Sequence, residues 1–274
     1  ADVAGAAGVS AQTVSRVVNG SPRVDPVTRQ RVEVAMDRLG YRPHRAARAL
    51  RTGRTETIGL VAATLATVGN SRMLQAVSET AAARGYALVV VTLGAAGDIA
   101  SAFDRLRDQG VDGAIVLNEA SELARDAVLP ADLPLVVVDT PPDERFDVVR
   151  TDHAAGARAA VEHLLGLGHR TVHHLAGPVH SFAAAERERG WRDALAAAGA
   201  TTSAPVRGDW SAASGYEAGA ALALDAGVTA VFVANDQMAL GVLRALADAG
   251  RETPGHVSVV GFDDLADAAD SGRP

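Results

Sequence analysis

Five polar or aromatic residues stand where an apolar run of this sequence ends, or in a turn beyond one: Asp139, Arg187, Trp210, Asn235 and Asp263. In open α/β sheets, ligands bind at the carboxyl ends of the strands, so residues in such places can meet at one site. Carboxylates, an amide and a guanidinium can pair with several hydroxyl groups at once, and an indole adds a flat apolar face. This is the chemistry that holds a sugar ring.

Each of these residues also has a plainer interpretation. Asn235-Asp236 and Asp263 are equally suited to begin helices, because their side chains can accept from free backbone N–H groups. Asp139 is equally suited to a turn, and both Trp191 and Trp210 to a core. Spacing alone leaves the two interpretations open.

Catalytic motifs are not found in the sequence. It contains no cysteine, no G-x-S-x-G, no P-loop and no H-E-x-x-H, and no G-x-G-x-x-G opens a predicted helix. His173 and His174 are adjacent in a strand-like run, so they point to opposite faces and cannot chelate one metal ion. We therefore expect no enzyme activity, no cofactor and no metal. The alternative is a sugar-active enzyme that uses Asp139 and Asp263 as a carboxylate pair.

From Thr57 onward, strand-like runs alternate with Ala-rich helical stretches, a pattern typical of parallel sheets with helices on both faces. The predicted strands are Ile58–Val61, Leu88–Val91, Ala114–Leu117, Leu135–Val138, Val148–Arg150, Thr171–Leu175, Val231–Ala234 and Val257–Phe262. The predicted helices span 70–84, 99–109, 153–167, 183–198, 212–224 and 236–249, and we expect Arg187 to begin a helix. The lengths suit two α/β lobes, at 57–151 and 152–274.

Charge is distributed unevenly along the chain. The formal net charge of −7 alone argues against nucleic acid as a partner. However, residues 1–54 carry ten Arg and four acidic residues, a balance of +6 that leaves −13 for the rest. A basic segment on an acidic body is the charge distribution typical of a protein that binds nucleic acid phosphates. The alternative is an ordinary solvated surface.

The basic segment has the pattern of three short helices. Gly8-Val9-Ser10 forms a turn and a cap before a helix at Ala11–Val18, and Asp25-Pro26 starts a third helix that runs to Leu39. Its predicted inward residues are Val27, Val32, Val34 or Ala35, and Leu39. This arrangement is typical of a helix-turn-helix, whose second helix enters the DNA major groove. An unrelated three-helix bundle is the alternative.

Four motifs of this segment are Asp2-Val3-Ala4, Ala7-Gly8-Val9-Ser10, Thr13-Val14-Ser15-Arg16-Val17-Val18-Asn19 and Gly40-Tyr41-Arg42-Pro43. They resemble the head of the lactose-repressor family of bacterial transcription regulators. The resemblance implies a DNA-binding domain at 1–43, in which Ala11, Gln12 and Arg16 contact bases. It implies that Thr13, Ser15 and Asn19 lie nearer the DNA backbone. The family's namesake has Tyr at the Ala11 position, so the operator sequence stays open.

Residues 44–56 form the predicted hinge and linker. His44–Arg51 is helix-prone but only about two turns long, so we expect it to fold when DNA holds it. The resemblance implies that Leu50 enters the minor groove as an apolar wedge and that Ala47 lets the backbone approach. A plain linker is the alternative.

The second half also carries family motifs. Matching segments include Leu175-Ala176-Gly177-Pro178, Gly208-Asp209-Trp210-Ser211-Ala212, Val233–Gly241 and Ser258–Asp264. They resemble the family's effector domain, a two-lobe body like that of periplasmic binding proteins, and several look closer to the family's namesake than to the family at large. The resemblance implies that Asp139, Arg187, Trp210, Asn235 and Asp263 contact a sugar, with a β-galactoside favoured. A regulator of the same family that senses a different sugar or a small metabolite is the alternative. The segment around Thr67–Met73 matches the family's effector pocket poorly.

The resemblance further implies a homodimeric repressor that binds double-stranded operator DNA and releases it when a sugar effector binds. No secretory signal and no run of about 18 apolar residues is visible, so we expect a cytoplasmic protein without a membrane partner. These features and the basic segment disfavour a solute-binding protein, which shares the two-lobe body. Family members extend before Ala1 and beyond Pro274, so we expect the sequence to be a fragment.

Overall fold

The computed structural model describes residues 2–41, 49, 52–94 and 97–265. The chain divides into two compact units, Ala1–Glu56 and Thr57–Pro274. The hinge candidates Ala47 and Leu50 lie outside the described residues, so their predicted role and the finer boundary at 43 and 44 stay predictions.

The first unit contains three helices: α1 (Asp2–Ala7), α2 (Ala11–Val18) and α3 (Pro26–Arg38). Helix α2 begins where Ser10 accepts a hydrogen bond from the backbone N–H of Thr13 at 3.1 Å. Helix α3 begins where Asp25 accepts from the N–H of Thr28 at 2.9 Å, with Pro26 in the first helical position. These contacts satisfy backbone donors that a helix start leaves free, so the predicted starts of α2 and α3 follow from local chemistry.

The core of this unit is small, and its composition shows that one prediction was wrong. Six buried residues form it: Val3, Ala7, Val14, Val17, Val32 and Ala35. Val27, Val34 and Leu39 were predicted to point inward, but they are 68%, 60% and 46% exposed. Val27 and Val34 lie seven residues apart on the face of α3 opposite Val32, and α1 and α2 cover the Val32 face. Leu39 caps the end of α3 and lies outside its regular turns.

The second unit contains two sheets whose paired strands are all parallel. The first sheet has the order β2-β1-β3-β4-β5, and its strands are Thr57–Ala62 (β1), Ala87–Thr92 (β2), Gly113–Leu117 (β3), Leu135–Val138 (β4) and Asp147–Val149 (β5). Its helices are Val68–Ala83 (α4), Ile99–Asp108 (α5) and Ala120–Asp126 (α6). We call this sheet and its helices the first lobe.

The second sheet has the order β7-β6-β8-β9, with strands His173–Ala176 (β6), Val206–Arg207 (β7), Ala230–Val233 (β8) and Ser258–Val260 (β9). Its helices are His153–Gly166 (α7), Phe182–Ala197 (α8), Ala212–Ala223 (α9) and Asp236–Asp248 (α10). We call this sheet and its helices the second lobe. Every residue of β8 is buried, as expected for a parallel strand covered on both faces.

The observed strands and helices agree with the predicted ones to within two residues at each end, with three exceptions. The short helix α6 and the two-residue edge strand β7 were not predicted, because both are too short to show a periodicity. Arg187 lies inside α8, which begins at Phe182 after its cap Ser181, so the expectation that Arg187 begins a helix was wrong.

Helices α9 and α10 pack against each other through glycines. A Cβ atom on Gly215 would lie 2.2 Å from the carbonyl oxygen of Met238, and one on Gly241 would lie 2.1 Å from that of Ala212. Side chains at these positions would force the two helices apart, so the close approach depends on glycine. The start of each helix carries one candidate: Trp210 precedes α9 and Asn235 precedes α10.

Candidate functional site

A cavity of about 300 Å³ lies between the two lobes, at the carboxyl ends of strands from both sheets. All five candidate sugar-contacting residues, Asp139, Arg187, Trp210, Asn235 and Asp263, line it. The other lining residues are Thr67, Gly69, Arg72, Met73, Asn118, Glu119, Thr151, His153, Ala183, Phe262 and Leu265. The five candidates from the sequence therefore converge on one cavity.

Arg187 is the central charged group of this cavity. It is only 7% exposed, and its Nη2 lies 3.1 Å from Oδ1 of Asp263 in an ion pair. Its Nη1 donates to the carbonyl oxygen of Ala234. Its guanidinium also lies 4.0 Å from the ring centroid of Phe262, a cation–π contact. Burial lowers the pKa of Arg187, although Asp263 and Asp139 oppose that shift. Arginine is not deprotonated in proteins, so the guanidinium keeps its charge.

The two candidate aspartates have opposite environments. Burial would raise the pKa of Asp139, but hydrogen bonds from His153 and the N–H of Thr151, with the charge of Arg187, lower it below its usual range. Burial raises the pKa of Asp263, with a further contribution from Asp236, and its ion pair with Arg187 does not fully compensate. Asp139 is thus the better carboxylate acceptor, and Asp263 is the one that takes up a proton first as pH falls.

His153 is a site residue that sequence analysis missed. It is buried in the first turn of α7, and its Nε2 lies 3.0 Å from Oδ2 of Asp139. Arg187 donates from Nε to the Nδ1 of the same ring at 3.4 Å. The imidazole therefore lies between the carboxylate of Asp139 and the guanidinium of Arg187. The sequence signal was the Asp152 cap, which places His153 at a helix start, but nothing in the pattern pointed its side chain at Asp139.

For Asn235 and Trp210, both interpretations of the sequence hold, because each residue has a structural role and also lines the cavity. Asn235 caps α10 by accepting from the N–H of Met238 at 2.9 Å, and its Nδ2 donates to the carbonyl oxygen of Trp210 at 3.1 Å. Trp210 packs in the second-lobe core, yet it lines the cavity, and its indole N–H has no hydrogen-bond partner among the described residues. Gly177 lies against the ring, because a Cβ there would be 2.3 Å from Cη2 of Trp210. The core and cap roles therefore position the same side chains that line the cavity.

The first lobe contributes a polar wall that the sequence did not reveal. Thr67, Arg72, Asn118 and Glu119 line the cavity, and the stretch Thr67–Met73 that matched the family poorly supplies several of its residues. Asn118 and Glu119 directly follow β3, so the rule of strand ends would have found them. We call these four residues the first-lobe wall.

Two hydrogen bonds join the lobes beside this wall. The N–H of Val68, at the start of α4, donates to Oε1 of Gln237 at 3.0 Å. Arg72 donates from Nη1 to the carbonyl oxygen of Asp264 at 3.2 Å. Helix α4 is thus tied directly to the second lobe, and a change in the angle between the lobes must break or replace these bonds.

Trp191, His173 and His174 do not line the cavity. Trp191 is fully buried, and its Nε1 donates to the carbonyl oxygen of Val172 at 2.8 Å. His174 is buried, whereas His173 is half-buried.

Within the described residues, no group of three or more His, Asp or Glu side chains is placed to hold a metal ion. No helix in that part of the chain is long and apolar enough to cross a membrane.

The exposed face of α2 carries the DNA-binding candidates of the first unit. Ala11, Gln12, Ser15, Arg16 and Asn19 are exposed, and Thr13 is half-buried. Asn19 donates from Nδ2 to Oγ of Ser15 at 3.2 Å, and Oγ1 of Thr13 lies 3.0 Å from Oγ of Ser10. Val14 and Val17 point into the core. Helix α2 therefore exposes a polar face, while its opposite, apolar face is packed in the core.

Family models cover almost the whole chain. Residues 1–44 match bacterial regulatory proteins of the lacI family, and residues 55–272 match periplasmic binding proteins and the sugar binding domain of the LacI family. The chain belongs to the LacI family. As a member, it is a DNA-binding transcription regulator with a sugar-binding domain, which confirms the helix-turn-helix head and the two-lobe body.

Relatives within the LacI family agree with this assignment. The chain is 37% identical to the lactose operon repressor of Escherichia coli (strain K12), over 98% of this chain and 76% of that protein. It is 38% identical to the transcriptional regulator CelR of Thermobifida fusca, over 96% and 81% of the two chains. A crystal structure of the Lac repressor dimer bound to operator and the anti-inducer ONPF matches with a TM-score of 0.85, at 36% identity over 97% of this chain and 82% of that one.

Proposed function

We propose that this chain is a repressor that binds operator DNA through α2 and releases it when a β-galactoside binds between the lobes. The observation that carries the proposal is the convergence of Asp139, Arg187, Trp210, Asn235 and Asp263 on one cavity. Similarity to the lactose operon repressor supports a galactoside as the ligand.

The cavity offers a sugar ring both donors and acceptors. Arg187 donates, while the carboxylates of Asp139 and Asp263 accept from hydroxyl groups. Asn235 has one amide N–H left after its bond to the Trp210 carbonyl, and Trp210 supplies the stacking face. Since each sugar hydroxyl both donates and accepts, this mixed set favours a neutral polyol over an apolar ligand.

The DNA contacts assigned to the head are proposals of the same kind. Gln12 and Arg16 lie on the exposed face of α2 and can read base edges in the major groove, with Ala11 in apolar contact. Thr13, Ser15 and Asn19 are assigned to the DNA backbone, and Leu50 with Ala47 to the minor groove. A homodimer would present two such heads to a pseudo-palindromic operator, as in the Lac repressor dimer bound to operator.

Release of DNA follows from differential affinity. A sugar that binds one arrangement of the lobes more tightly shifts the population toward that arrangement. By thermodynamic reciprocity, operator DNA then lowers the affinity for the sugar by the same factor. The interlobe bonds of Val68 and Arg72 are contacts that can differ between the two arrangements.

A gel shift tests the proposal directly. The probe is DNA from upstream of the chain's own gene, with lactose or methyl β-D-galactopyranoside added in increasing amounts. We expect a retarded band that either sugar disperses, and a variant Arg187→Met that is retarded equally but resists the sugar. Absence of a retarded band, or a band indifferent to every sugar, would contradict the proposal.

A second candidate ligand is a β-glucoside. A transcriptional regulator CelR–cellobiose complex matches the chain with a TM-score of 0.68, at 35% identity over 96% of this chain and 82% of that one. Adding cellobiose as a parallel arm of the gel shift separates the two sugars. Incubation with a chromogenic galactoside tests the remaining alternative, an enzyme with Asp139 and Asp263 as its carboxylates, because turnover would be visible.

A further inference from the structure

We propose that Asp236, a residue that does not line the cavity, is a positioning residue that fixes the carboxylate of Asp263 at the sugar site and sets the lowest pH at which the sugar binds. This role rests on the proposed function, since Asp263 is taken to accept from the sugar. Asp236 acts on the ligand only through Asp263 and the turn that carries it.

The turn that carries Asp263 has an unfavourable backbone conformation. Asp263 and Asp264 have φ angles of 104° and 52°, in the region that favours glycine. Residues other than glycine keep such angles only where the surrounding structure holds them. Because this turn directs the carboxylate of Asp263 to Arg187, the group that holds the turn also positions the sugar-binding oxygen atoms.

Asp236 makes a hydrogen bond at each end of this turn. Its backbone N–H donates to the carbonyl oxygen of Phe262 at 2.9 Å, and its Oδ2 accepts from the backbone N–H of Leu265 at 2.8 Å. Asp263 and Asp264 lie between these two bonds. Since Asp236 is buried in the first turn of α10, the turn is fixed to the start of a helix.

Gly261 leaves room for the carboxylate of Asp236. A Cβ atom at position 261 would collide with Oδ1 of Asp236, so the carboxylate reaches Leu265 because residue 261 has no side chain. The side chain of Asp236 is thus placed by Gly261 on one side and by Leu265 on the other.

Charged groups face Asp263 from three helices of the second lobe. Burial raises the pKa of Asp263, Arg187 on α8 opposes that rise, and Asp236 on α10 adds to it. The charge of His153 on α7 acts in the same direction as Arg187 on the pKa of Asp263. Other charged groups near the site are Asp264 in the turn itself and, across the cavity, Asp139, Glu119 and Arg72.

These charges give sugar binding an acid limit. As pH falls through the pKa of Asp263, the carboxyl takes up a proton, loses its ion pair with Arg187 and no longer accepts as a carboxylate. Besides burial, the charge of Asp236 raises this pKa, so it moves the loss of sugar affinity to higher pH. Without that charge, binding persists to lower pH.

Two variants separate the charge of Asp236 from its hydrogen bond. Asp236→Asn keeps an oxygen that can accept from Leu265 and removes the charge, whereas Asp236→Ala removes both. Lactose and cellobiose are the probes, and calorimetric titration of the full chain at pH values from 7.5 to 4.5 gives the affinity. Circular dichroism at each pH shows that the chain is folded.

The two variants should differ at neutral pH. Asp236→Ala is expected to bind sugar about tenfold more weakly than the parent chain at pH 7.5, because the turn loses a hydrogen bond to a charged group. Asp236→Asn is expected to bind within about threefold of the parent chain at that pH, and to lose its affinity at a lower pH than the parent chain does. The similar shape of Asn keeps the test valid if Asp236→Ala does not fold.

A control and a measurement without sugar complete the experiment. Asp248→Asn removes a charge from the other end of α10, where Asp248 is exposed and pairs with Arg244, and should keep the affinity and the pH profile of the parent chain. NMR of isotopically labelled aspartate carboxyls follows the protonation of Asp263, whose signal is assigned by its loss in Asp263→Asn. The midpoint of that titration should move to lower pH in Asp236→Asn.

Two results would overturn the inference while the proposed function stands. One is a carboxyl titration of Asp263 that is unchanged in Asp236→Asn, and the other is a folded Asp236→Ala that binds sugar as tightly as the parent chain. If the parent chain binds neither sugar, the proposed function fails. The carboxyl titration then still decides whether Asp236 controls the charge of Asp263.

Discussion

The Nε2 of His153 lies 3.0 Å from Oδ2 of Asp139, and the Nδ1 of the same ring accepts from Nε of Arg187 at 3.4 Å. One imidazole therefore contacts the carboxylate that follows β4 and the guanidinium on α8. Arg187 continues the series to Asp263, 3.1 Å away. Four side chains from four separate segments thus form one continuous polar network beneath the cavity.

Replacing His153 by Ala should weaken sugar binding about tenfold. The substitution removes a partner from Asp139 and from Arg187, and buried polar groups that lose a partner cost about 1–3 kcal/mol each. Titration followed by calorimetry measures the affinity. His163→Ala, at an exposed position of the same helix, is the matched control and should bind like the parent chain. Equal affinity of the two variants would show that the network does not position the site.

Gly177→Ala should displace the indole of Trp210 and lower sugar affinity. The added Cβ would lie 2.3 Å from Cη2 of the ring, and such overpacking costs about 1–3 kcal/mol. Tryptophan fluorescence should shift even without sugar, because the indole moves. Gly166→Ala has no atom within 4 Å of the new Cβ and serves as the comparison. A parent-like spectrum and affinity for Gly177→Ala would contradict the close packing.

Stability should fall as pH drops from about 7.5 to 5, in part because of His174. Burial lowers the pKa of His174 to about 4, whereas an unfolded histidine titrates near 6.5. Between these values the unfolded chain binds a proton that the folded chain does not, so acid favours unfolding. Over 1.5 pH units below 6.5, this amounts to about 2 kcal/mol.

Urea unfolding at pH 7.5 and pH 5 isolates this contribution. His174→Leu removes the titrating group from between Phe232 and Trp191, so the variant should lose about 2 kcal/mol less than the parent chain over this pH interval. The pKa of His173 is also lowered by burial, but that residue is present in both proteins and cancels in the comparison. Parallel pH profiles would mean that His174 is not buried in its neutral form.

Arg16→Ala and Gln12→Ala should each reduce affinity for the specific operator about tenfold or more. Both side chains lie on the exposed face of α2, and a good base contact is worth about 1–3 kcal/mol. Gel shifts at fixed salt, with specific and scrambled DNA, separate lost base readout from lost charge. Gln30→Ala, exposed on α3, should leave binding unchanged. If Gln12→Ala discriminates between the two DNAs as well as the parent chain does, α2 is not the reading helix.

The fold could be predicted where local chemistry decides it. The starts of α2 and α3 follow from Ser10 and from Asp25-Pro26, and the buried strands follow from apolar runs such as β8. The inward face of α3 could not be predicted, because the helix has an apolar residue on both sides. Only the packing of α1 and α2 decides that Val32 is buried and Val34 is not.

The residues of the site could likewise be predicted only in part. Strand ends place Asp139 at the edge of the first sheet, and Asn235 and Asp263 at the edge of the second, because parallel strands within a sheet share the direction of their carboxyl ends. His153 could not be found in this way, since its role depends on the path of the chain between β5 and α7. One member of the first-lobe wall was missed for a different reason. Arg72 lies within α4, where only the approach of the second lobe brings it to the cavity.

The glycine contacts between α9 and α10 have a mechanical consequence. Because the two backbones are in direct contact at Gly215 and Gly241, α9 and α10 pack as one unit. Trp210 and Asn235, joined by their own hydrogen bond, are therefore fixed to one stiff block. A ligand that binds to either residue is therefore expected to move both helices together. The movement of one lobe relative to the other must then occur at the connections between the lobes.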